Sequence, residues 1–411
     1  MQAIILAAGQ SSRFYPFTDL PHKSYVPLLG KKIIEYTLLE LKHAGITEAV
    51  IVLRNEEDEL DNIQNLGIDI KYVLQKEPLG MGDALLKAKG LIKGDFFLLN
   101  AYHINFSKFS EDLKNKKKND DDLILLLKKE KDNLGQYGVV KTDGENVLEI
   151  IEKSKETQES LRVIGIYLIP LKFLDVLEAT PSEHYALEKA ISSYAKDNKV
   201  KYFETSENTL SLKYPWDLFK FSKELFKTSK AWVSGSAEVS KSAIITGEVI
   251  IDDGAKILEG ACIKGPCYIG KNVVIGNNAL IREYSVIDKD CVIGAFSEVK
   301  NSVILGNSKA HSGIIEDSII GENCNMGANF CSANRRLDKE KIKSEGIDTG
   351  LDFLGVIMGN NVNCGVRVST MPGITIGKNS IIGPASIVFK SVKENNRYYV
   401  RFEETVEEIN E

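Results

Sequence analysis

Two cations with a regular spacing are the first residues of this sequence that could do chemistry. Arg282 and Lys300 are 18 residues apart, and each directly follows an aliphatic residue, Ile281 or Val299. If the chain forms 18-residue coils, both side chains point outward on one face, about 4.8 Å apart. Such a pair either splays into water or holds a phosphate group between its charges. Spacing alone leaves both alternatives open.

A second candidate lies near the other end of the chain. In the segment IILAAGQSSRF, an apolar run leads into a loop of small residues. A loop of this kind exposes backbone N–H groups to phosphate oxygens, and Arg13 adds a cation that suits a triphosphate. A tight strand-to-helix turn also needs small residues. The loop alone therefore does not distinguish a nucleotide site from a turn.

A six-residue repeat positions the two cations. Ten aliphatic residues recur at intervals of six from Ile245 to Val299, and a small or aliphatic residue precedes each by two positions. An α-helix cannot use this period, and a half-buried strand would show a period of two. Stacked triangular coils can use it, because three six-residue sides close one turn. The pattern therefore predicts a parallel β-helix of hexapeptide repeats.

The repeat is interrupted twice. Between Leu305 and Ile314 the six-residue spacing of the inward positions is displaced by three residues. We expect Ile314, Ile320 and Met326 to point inward after this displacement. Residues 333–355 are polar and lack the period altogether. Breaks in a solenoid mark the places where loops leave its body, and loops commonly carry functional sites.

Strand-like and helical runs alternate up to about residue 228. AVIVL, DFFLLN and DLILLL predict strands, whereas IIEYTLLELKHAG and GDALLKAKGLI predict amphipathic helices. Alternation of this kind predicts an α/β fold, a mostly parallel, Rossmann-like sheet with helices on both faces. We therefore predict an α/β domain over residues 1–228 and a left-handed β-helix over residues 229–411.

Composition narrows the possible partners. The net charge is −6 and both signs are mixed along the 411 residues, which predicts neither a nucleic-acid nor a membrane partner. The apolar start, MQAIILAAG, lacks a basic segment and is too short to span a bilayer, so we interpret it as a buried strand. Six cysteines without a CxxC pair favour reduced thiols in a core over disulfides or a metal site. We expect a cytoplasmic protein.

Three motifs of the first half occur in close succession: LAAG-x₃-R, P-x-K-x₃-P and GK-x₂-IEY. Together they resemble the signature of the sugar-1-phosphate nucleotidyltransferases. The resemblance implies a phosphate-binding role for Gly9, Arg13 and Lys23. It also implies base recognition by the segment QKEPLG and sugar binding by the YG and EK pairs. The residues concerned are Gln75, Gly80, Gly138, Glu152 and Lys153.

The metal positions of that family are altered in this chain. The family holds Mg²⁺ with two aspartates, but here NAYHIN places Tyr102 at the first position and LSLKYPWD places Ser211 at the second. Both side chains are neutral, whereas Mg²⁺ favours carboxylates and water. The domain either works with unusual ligands, binds a nucleotide or sugar nucleotide without turnover, or is a structural platform. We favour the last two, predict no protein metal site, and expect Mg²⁺ only if this domain is active.

The motifs of the second half, IREYSVI, EVKN, CNMGA and SAN, resemble the acetyltransferase half of the bifunctional GlmU-type enzymes, especially the archaeal ones. The resemblance implies acetyl transfer from acetyl-CoA to glucosamine 1-phosphate in a homotrimer. It assigns His311 as the general base, since an imidazole suits removal of a proton from the substrate ammonium. The implied binding residues are Arg282 and Lys300 for the sugar phosphate, Asn325 and Asn334 for the sugar, and Ala328 and Arg401 for acetyl-CoA.

The second half departs from the family pattern at two positions, and two rival interpretations of the function remain. Ile314 replaces a family tyrosine, and Phe330 replaces a small hydroxyl residue. One rival is the complete bifunctional enzyme with a rearranged metal site. The other is a non-catalytic regulatory subunit that binds a sugar nucleotide. The predicted partners are small molecules: an amino-sugar phosphate, acetyl-CoA, and UTP or a UDP-sugar if the first domain binds a nucleotide.

Overall fold

The computed structural model describes residues 1–56, 66–131, 137–152 and 159–407. The chain forms two compact units. The first unit contains Met1–Ser11, Leu20–Val26 and Lys32–Ser211. The second unit contains Ser12–Asp19, Pro27–Lys31 and Leu212–Glu411. Within the described ranges, no helix has the length and apolar character needed to cross a membrane.

A nine-stranded, mostly parallel sheet forms the centre of the first unit. Its strands are β1 (Gln2–Leu6), β4 (Glu48–Leu53), β5 (Asp69–Leu74), β6 (Phe96–Asn100), β7 (Leu123–Glu130), β8 (Val139–Asp143), β9 (Asn146–Ile151), β10 (Ser160–Ile169) and β11 (Val200–Glu204). Two further short strands, β2 (Pro27–Leu28) and β3 (Lys31–Lys32), pair with each other. The order is β5-β4-β1-β6-β10-β7-β11-β9-β8, and β10 runs antiparallel to both of its main neighbours.

Helices cover both faces of this sheet. They are α1 (Ile33–His43), α2 (Met81–Ala88), α3 (Ser107–Lys116), α4 (Phe173–Ala179) and α5 (Ala186–Asp197). Alternate residues of β1 enter different cores, because successive side chains of a strand point to opposite faces. Ile4 packs with residues of α2, α4 and α5, and Ile5 packs with residues of α1 and α3. The predicted α/β fold is confirmed.

Three parallel sheets form the β-helix of the second unit, which also contains α6 (Leu218–Thr228). The first sheet contains Trp232–Val233, Val249–Ile251, Cys267–Ile269, Ser285–Ile287, Val303–Ile304, Ile319–Ile320, Ile357–Met358 and Thr375–Ile376. The second contains Glu238–Val239, Lys256–Ile257, Val274–Ile275, Val292–Ile293, Lys309–Ala310, Asn325–Met326, Asn363–Cys364, Ile381–Ile382 and Arg397–Tyr398. The third contains Ile244–Thr246, Cys262–Lys264, Leu280–Ile281, Glu298–Lys300, Gly313–Glu316, Phe330–Ser332, Ser369–Thr370 and Ile387–Val388.

The inward positions of the β-helix are those that the repeat predicts. Ile263 pairs with Ile281, and Ile281 pairs with Val299, so residues 18 apart stack directly. All ten predicted aliphatics belong to one core or pack against it, and nine of them are buried. Burial of each such side chain contributes about 1.5–3 kcal/mol. The hexapeptide β-helix is therefore confirmed.

Two corners of the β-helix are one residue short at the place of the first break. Val299 pairs with Ile315, 16 residues later. Consecutive inward residues are five apart instead of six from Val299 to Ile304 and from Ala310 to Ile315. The prediction that Ile314 points inward was wrong, since Ile314 is 42% exposed and Ile315 is buried. Removal of one residue from a corner exchanges inward and outward positions, because side chains alternate along a strand.

The second break, residues 333–355, forms a loop that leaves the β-helix and returns to it. The loop contains an antiparallel pair of short strands, Lys343–Ser344 and Ile347–Asp348. Across the insertion, Met326 pairs with Cys364, and the inward core continues through Val362. The loop that the sequence predicts at this place is confirmed.

The six cysteines lie in the β-helix as free thiols. Cys267, Cys291, Cys324 and Cys364 are buried, and burial raises the pKa of the first three to about 12. These thiols therefore stay protonated near neutral pH and pack as small apolar groups.

Replacing Ile315 by alanine tests the shortened corner. We expect Ile315→Ala to lower the free energy of unfolding of the β-helix by about 2–5 kcal/mol, because it leaves a cavity in the core. Ile314→Ala is the matched control and should cost about 1 kcal/mol or less, since nearly half of that side chain is already in water. Urea denaturation followed by circular dichroism measures both. Equal losses would contradict the register described above.

Candidate functional site

Carboxylates surround the two predicted phosphate-binding cations on the outward side of the third sheet. Arg282 Nη1 lies 2.9 Å from Glu298 Oε1 and 3.7 Å from Glu316 Oε1. Lys300 Nζ lies 3.8 Å from Glu316 Oε1 and 3.5 Å from Asp317 Oδ2. The two cations therefore neither splay into water nor face each other directly. Glu316 lies between them.

Asn334 joins this group through its side-chain amide. Its Nδ2 donates to Glu316 Oε2 at 3.0 Å and to Asp317 Oδ2 at 2.7 Å. Asp317 is buried and also accepts a hydrogen bond from Asn301 Nδ2 at 2.5 Å. The structure thus brings together three residues predicted to bind the sugar phosphate or the sugar. We call the group the cation–carboxylate network: Arg282, Glu298, Lys300, Glu316, Asp317 and Asn334.

The network is partly exposed, so its ion pairs add little to stability. The side chains of Arg282 and Lys300 are 37% and 27% exposed. Ion pairs that water reaches contribute about 0–1 kcal/mol each. A ligand that offers its own negative charges can therefore replace the carboxylates at modest cost.

The carboxylates of the network were missed in the sequence analysis. Glu316 pairs in register with Lys300 only because the coil between them has lost two residues. A constant 18-residue coil would place Ser318 there instead. The signal that could have found Glu316 is the inward position of Ile315, which makes the next residue point outward.

His311 lies at the second shortened corner, where the chain passes from the second sheet to the third. Its backbone N–H donates to the carbonyl oxygen of Met326 at 2.9 Å, and the residue is exposed. Asn325 is also exposed and pairs with Lys309 in the second sheet. Half-buried Ala328 follows shortly afterwards. His311 and Ala328 lie just before third-sheet strands, whereas Asp317 and its network partners lie mostly where those strands end.

Arg401 lies in the C-terminal segment, outside the sheets. The residue is exposed, and its guanidinium is 6.0 Å from the centre of the Tyr399 ring. In the part of the chain that the structure describes, no hydrogen bond or ion pair joins Arg401 to His311 or Ala328. Its predicted role in acetyl-CoA binding stays a prediction.

The predicted phosphate loop is held by side chains of the first unit. Arg54 Nη2 donates to the carbonyl oxygen of Gly9 at 2.9 Å, and Ser11 Oγ accepts from the Lys23 backbone N–H at 3.1 Å. Gly9 and Lys23 therefore belong to one connected loop region. Arg13 is exposed and lies in the short turn Ser12–Phe14, which groups with the second unit.

An aromatic ring occupies the first metal position. Lys23 Nζ lies 5.1 Å from the centre of the Tyr102 ring, a cation–π contact. Burial, together with the charge of Arg162, lowers the pKa of the adjacent His103 to about 3. Ser211 is half-buried and neutral. Over the described ranges, no three His, Cys, Asp or Glu side chains are grouped so as to hold a metal ion. These residues do not fit Mg²⁺, which takes carboxylate and water oxygens.

The predicted base-recognition residues hold the beginning of α2. Gln75 Nε2 donates to the carbonyl oxygen of Gly80 at 3.0 Å and to Asp83 Oδ2 at 2.8 Å. Gly80 has a φ of +109°, and any Cβ there would overlap the carbonyl of His184. Only glycine therefore fits this position, where α2 approaches the segment before α5.

The predicted sugar-binding residues Gly138 and Glu152 adjoin each other. The Glu152 carboxylate lies against the Gly138 backbone, at a place that a Cβ would fill. Lys153, the other member of the predicted pair, lies outside the described residues. The structure thus brings together Gly138 and Glu152 beside the edge of the sheet formed by β8 and β9.

Comparison with known proteins gives matches over both halves of the chain. The nucleotidyl transferase family matches residues 2–232, the GMPPB C-terminal domain family matches residues 263–370, and the hexapeptide repeat of succinyl-transferase matches residues 355–386. Bifunctional protein GlmU from Methanococcus aeolicus is 35% identical to this chain, and that from Methanocaldococcus jannaschii is 36% identical. Both alignments cover 98% of this chain and 98% of the relative. The chain belongs to the bifunctional GlmU-type family.

A third relative shares the two-part organisation. The bifunctional sugar-1-phosphate nucleotidylyltransferase/acetyltransferase of Sulfurisphaera tokodaii is 32% identical over 95% of this chain and 98% of its own length. The matches confirm the predicted family and its pairing of a nucleotidyltransferase fold with a hexapeptide β-helix. The individual site residues of this GlmU-type chain stay predictions.

A buried carboxyl group of this GlmU-type chain was missed in the sequence analysis. Glu188 lies in the first turn of α5 and is 4% exposed. Burial raises its pKa to about 7. A hydrogen bond from its own backbone N–H lowers that pKa, and the charge of Glu152 raises it again. Burial also raises the pKa of Tyr167, which lies near Glu188, Glu152 and Tyr102. No pattern in the sequence distinguishes Glu188 from an exposed helix residue.

Stability against pH tests the burial of Glu188. The pKa is about 7 in the folded chain and near 4.5 when exposed, so the folded state binds the proton more tightly. The resulting stabilisation is complete below pH 4.5 and is lost as the pH rises through 7. Glu188→Gln mimics the protonated form. We expect its stability relative to wild type to rise by about 3 kcal/mol between pH 4.5 and pH 8.

Denaturant unfolding at several pH values measures this difference. Glu178→Gln, whose side chain is 65% exposed on α4, is the matched control and should follow the wild type. A Glu188→Gln profile parallel to wild type would show that Glu188 ionises freely in the folded chain.

Proposed function

We propose that the β-helix of this chain transfers an acetyl group from acetyl-CoA to the amino group of an amino-sugar 1-phosphate, with glucosamine 1-phosphate as the first candidate. This reaction belongs to sugar-nucleotide biosynthesis. The observation that carries the proposal is the cation–carboxylate network, which gathers Arg282, Lys300 and Asn334 on the coils that also present His311. The named relatives, described as bifunctional, support it.

Arg282 and Lys300 bind the phosphate of the acceptor. A phosphate carries more negative charge than a carboxylate and makes charge-assisted hydrogen bonds with both cations at once. It thereby displaces Glu298 and Glu316 from the cations. In this scheme Asn334, which donates a hydrogen bond to Asp317, and Asn325 hydrogen-bond sugar hydroxyl groups.

His311 removes the proton that blocks the reaction. A hexosamine carries an ammonium near neutral pH, and its nitrogen has no lone pair until one proton leaves. The imidazole of His311 accepts that proton. The nitrogen then attacks the thioester carbonyl, a C–N bond forms, the C–S bond breaks, and coenzyme A leaves as a thiol after protonation. Ala328 and Arg401 contact acetyl-CoA in this scheme.

We also propose that the chain forms a homotrimer, as the family resemblance implies. His311 and most of the network lie at opposite ends of the third-sheet strands. A site in the cleft between two subunits can combine His311 of one subunit with the network of the other. The placement of these groups at opposite strand ends agrees with such a site.

For the first unit, we propose binding of a nucleotide or sugar nucleotide without turnover. Tyr102 lies against Lys23, and Ser211 supplies no charge, so the two carboxylates that the family uses for Mg²⁺ have no counterparts at these positions. Gly9 and Lys23, the residues predicted to bind phosphate, lie in one hydrogen-bonded loop region, which supports binding.

Acetyl transfer is tested by thiol release from acetyl-CoA with glucosamine 1-phosphate as acceptor. We expect His311→Ala to lower the rate about 10²–10⁴-fold, because it removes the general base. His43→Ala removes another exposed histidine, on α1, and should retain the wild-type rate. An unchanged rate in His311→Ala would remove His311 from the mechanism. A correctly folded wild type that releases no thiol would overturn the proposal.

Lack of turnover in the first unit is tested separately. We expect wild type with UTP, N-acetylglucosamine 1-phosphate and Mg²⁺ to release pyrophosphate no faster than the reaction without enzyme, since the metal ligands are replaced. A coupled pyrophosphate assay measures this. Rapid release that depends on Mg²⁺ would instead establish the complete bifunctional enzyme.

A further inference from the structure

The loop that leaves the β-helix at residues 333–355, which we call the insertion loop, is attached to the cation–carboxylate network where it returns. The backbone N–H of Leu354 donates to the carbonyl oxygen of Asn334 at 2.9 Å, and that of Gly355 donates to the carbonyl oxygen of Asp317 at 2.8 Å. A Cβ at Gly355 would overlap the backbone carbonyl that precedes Asp317, so only glycine fits there. Asn334 and Asp317 both belong to the network. The two ends of the insertion loop are therefore fixed beside it.

An aromatic ring of the insertion loop contacts a cation of the network and a cation of the loop itself. Phe353, next to Leu354, is 42% exposed. The centre of its ring is 5.6 Å from Lys300 Nζ and 5.1 Å from the guanidinium carbon of Arg335. Cations at such distances are attracted to the face of an aromatic ring. One ring thus keeps Lys300 and Arg335 in the same neighbourhood.

Arg335 differs from the next arginine of the loop in what offsets its charge. Arg336 Nε donates to Asp338 Oδ1 at 2.8 Å, so a carboxylate offsets the charge of Arg336. Arg335 is exposed, and in the described part of the chain no carboxylate pairs with its guanidinium, which lies against Phe353 instead. The charge of Arg335 is therefore available to an anion that binds at the network.

The two cations of the network are outnumbered by carboxylates. Four carboxylates lie within 3.8 Å of Arg282 or Lys300, those of Glu283, Glu298, Glu316 and Asp317. A phosphate that binds the two cations therefore meets a surplus of negative charge, which repels it. A third cation reduces this repulsion. An arginine suits that role, because its planar guanidinium donates paired hydrogen bonds to phosphate oxygens.

We propose that Arg335 is a third cation for the phosphate of the acceptor sugar, and that Phe353 is a positioning residue that holds Arg335 and Lys300 at this phosphate. Acetyl-CoA also carries phosphate groups. The acceptor is the favoured source, because Arg335 shares the Phe353 ring with Lys300, which binds the acceptor phosphate in the proposed function. The inference rests on that proposed role of Arg282 and Lys300, and it is independent of whether His311 catalyses acetyl transfer.

Steady-state kinetics of acetyl transfer distinguishes the two sources of phosphate. We expect Arg335→Ala to raise the KM for glucosamine 1-phosphate about tenfold or more, as loss of a hydrogen bond to a charged group predicts. The KM for acetyl-CoA and kcat should change by less than about twofold. Arg336→Ala is the matched control and should keep all three constants, since Asp338 already pairs with Arg336. A KM that rises for acetyl-CoA and not for the acceptor would overturn the inference.

Two substitutions of Phe353 test the positioning role. Phe353→Leu keeps an apolar side chain but removes the aromatic face, and we expect it to raise the KM for glucosamine 1-phosphate about threefold with kcat unchanged. Phe353→Tyr keeps the ring and should retain the wild-type KM. If Phe353 only filled space, leucine would serve as well as tyrosine. Equal KM values for the two variants would therefore overturn the role assigned to Phe353.

Calorimetric titration with glucosamine 1-phosphate, without acetyl-CoA, separates the inference from acetyl transfer. The titrated full chain carries Lys23→Ala, which removes a cation predicted to bind phosphate in the first unit. In this background we expect Arg335→Ala and Arg282→Ala each to weaken binding about tenfold or more. Binding that is weakened by Arg282→Ala but unchanged by Arg335→Ala would overturn the inference and leave the proposed phosphate site intact. No binding by the Lys23→Ala chain would overturn both. A failed acetyl-transfer assay would leave these titrations unaffected.

Discussion

The second half of this chain depends on the stacking of aliphatic side chains along one shared axis. A single coil of the β-helix cannot bury its inward residues alone, because each coil covers only the faces of its neighbours. Ile263, Ile281 and Val299 are buried in direct succession. This stacking determines which residues point outward, so it also determines where Arg282 and Lys300 stand. The site is a consequence of the register of the core.

The two shortened corners are the places where that register changes, and several predicted site residues lie beside them. Loss of one residue at each corner brings Glu316 beneath Lys300 and presents His311 at the second corner. Asn301 and Asp317 occupy corners of the neighbouring coils with φ values of 42° and 46°. Asn and Asp tolerate this left-handed backbone better than most residues. Their side chains hydrogen-bond each other, so the same residues turn the chain and support the network.

The first unit matches the nucleotidyl transferase family along its whole length but lacks carboxylates at the two predicted metal positions. Tyr102 contacts Lys23 where the family has a metal-binding aspartate, so a cation–π contact replaces a carboxylate. Carboxyl groups stand elsewhere in the unit, at Glu152, which is predicted to bind the sugar, and at the buried Glu188. The two positions at which the family holds Mg²⁺ therefore offer no carboxylate to a metal ion between two reactants.

The sequence by itself determined the two folds, because they follow from local periodicity: alternating strands and helices in the first half, and a strict six-residue repeat in the second. Its motifs also determined the family. The 18-residue spacing of Arg282 and Lys300 determined that they occupy stacked positions on one face, because one regular coil contains 18 residues. Only the tertiary structure decided that Ile315 and not Ile314 points inward, because one missing corner residue reverses the alternation. Likewise, only the packing of α5 against β9 buries Glu188, since burial depends on residues far away along the chain.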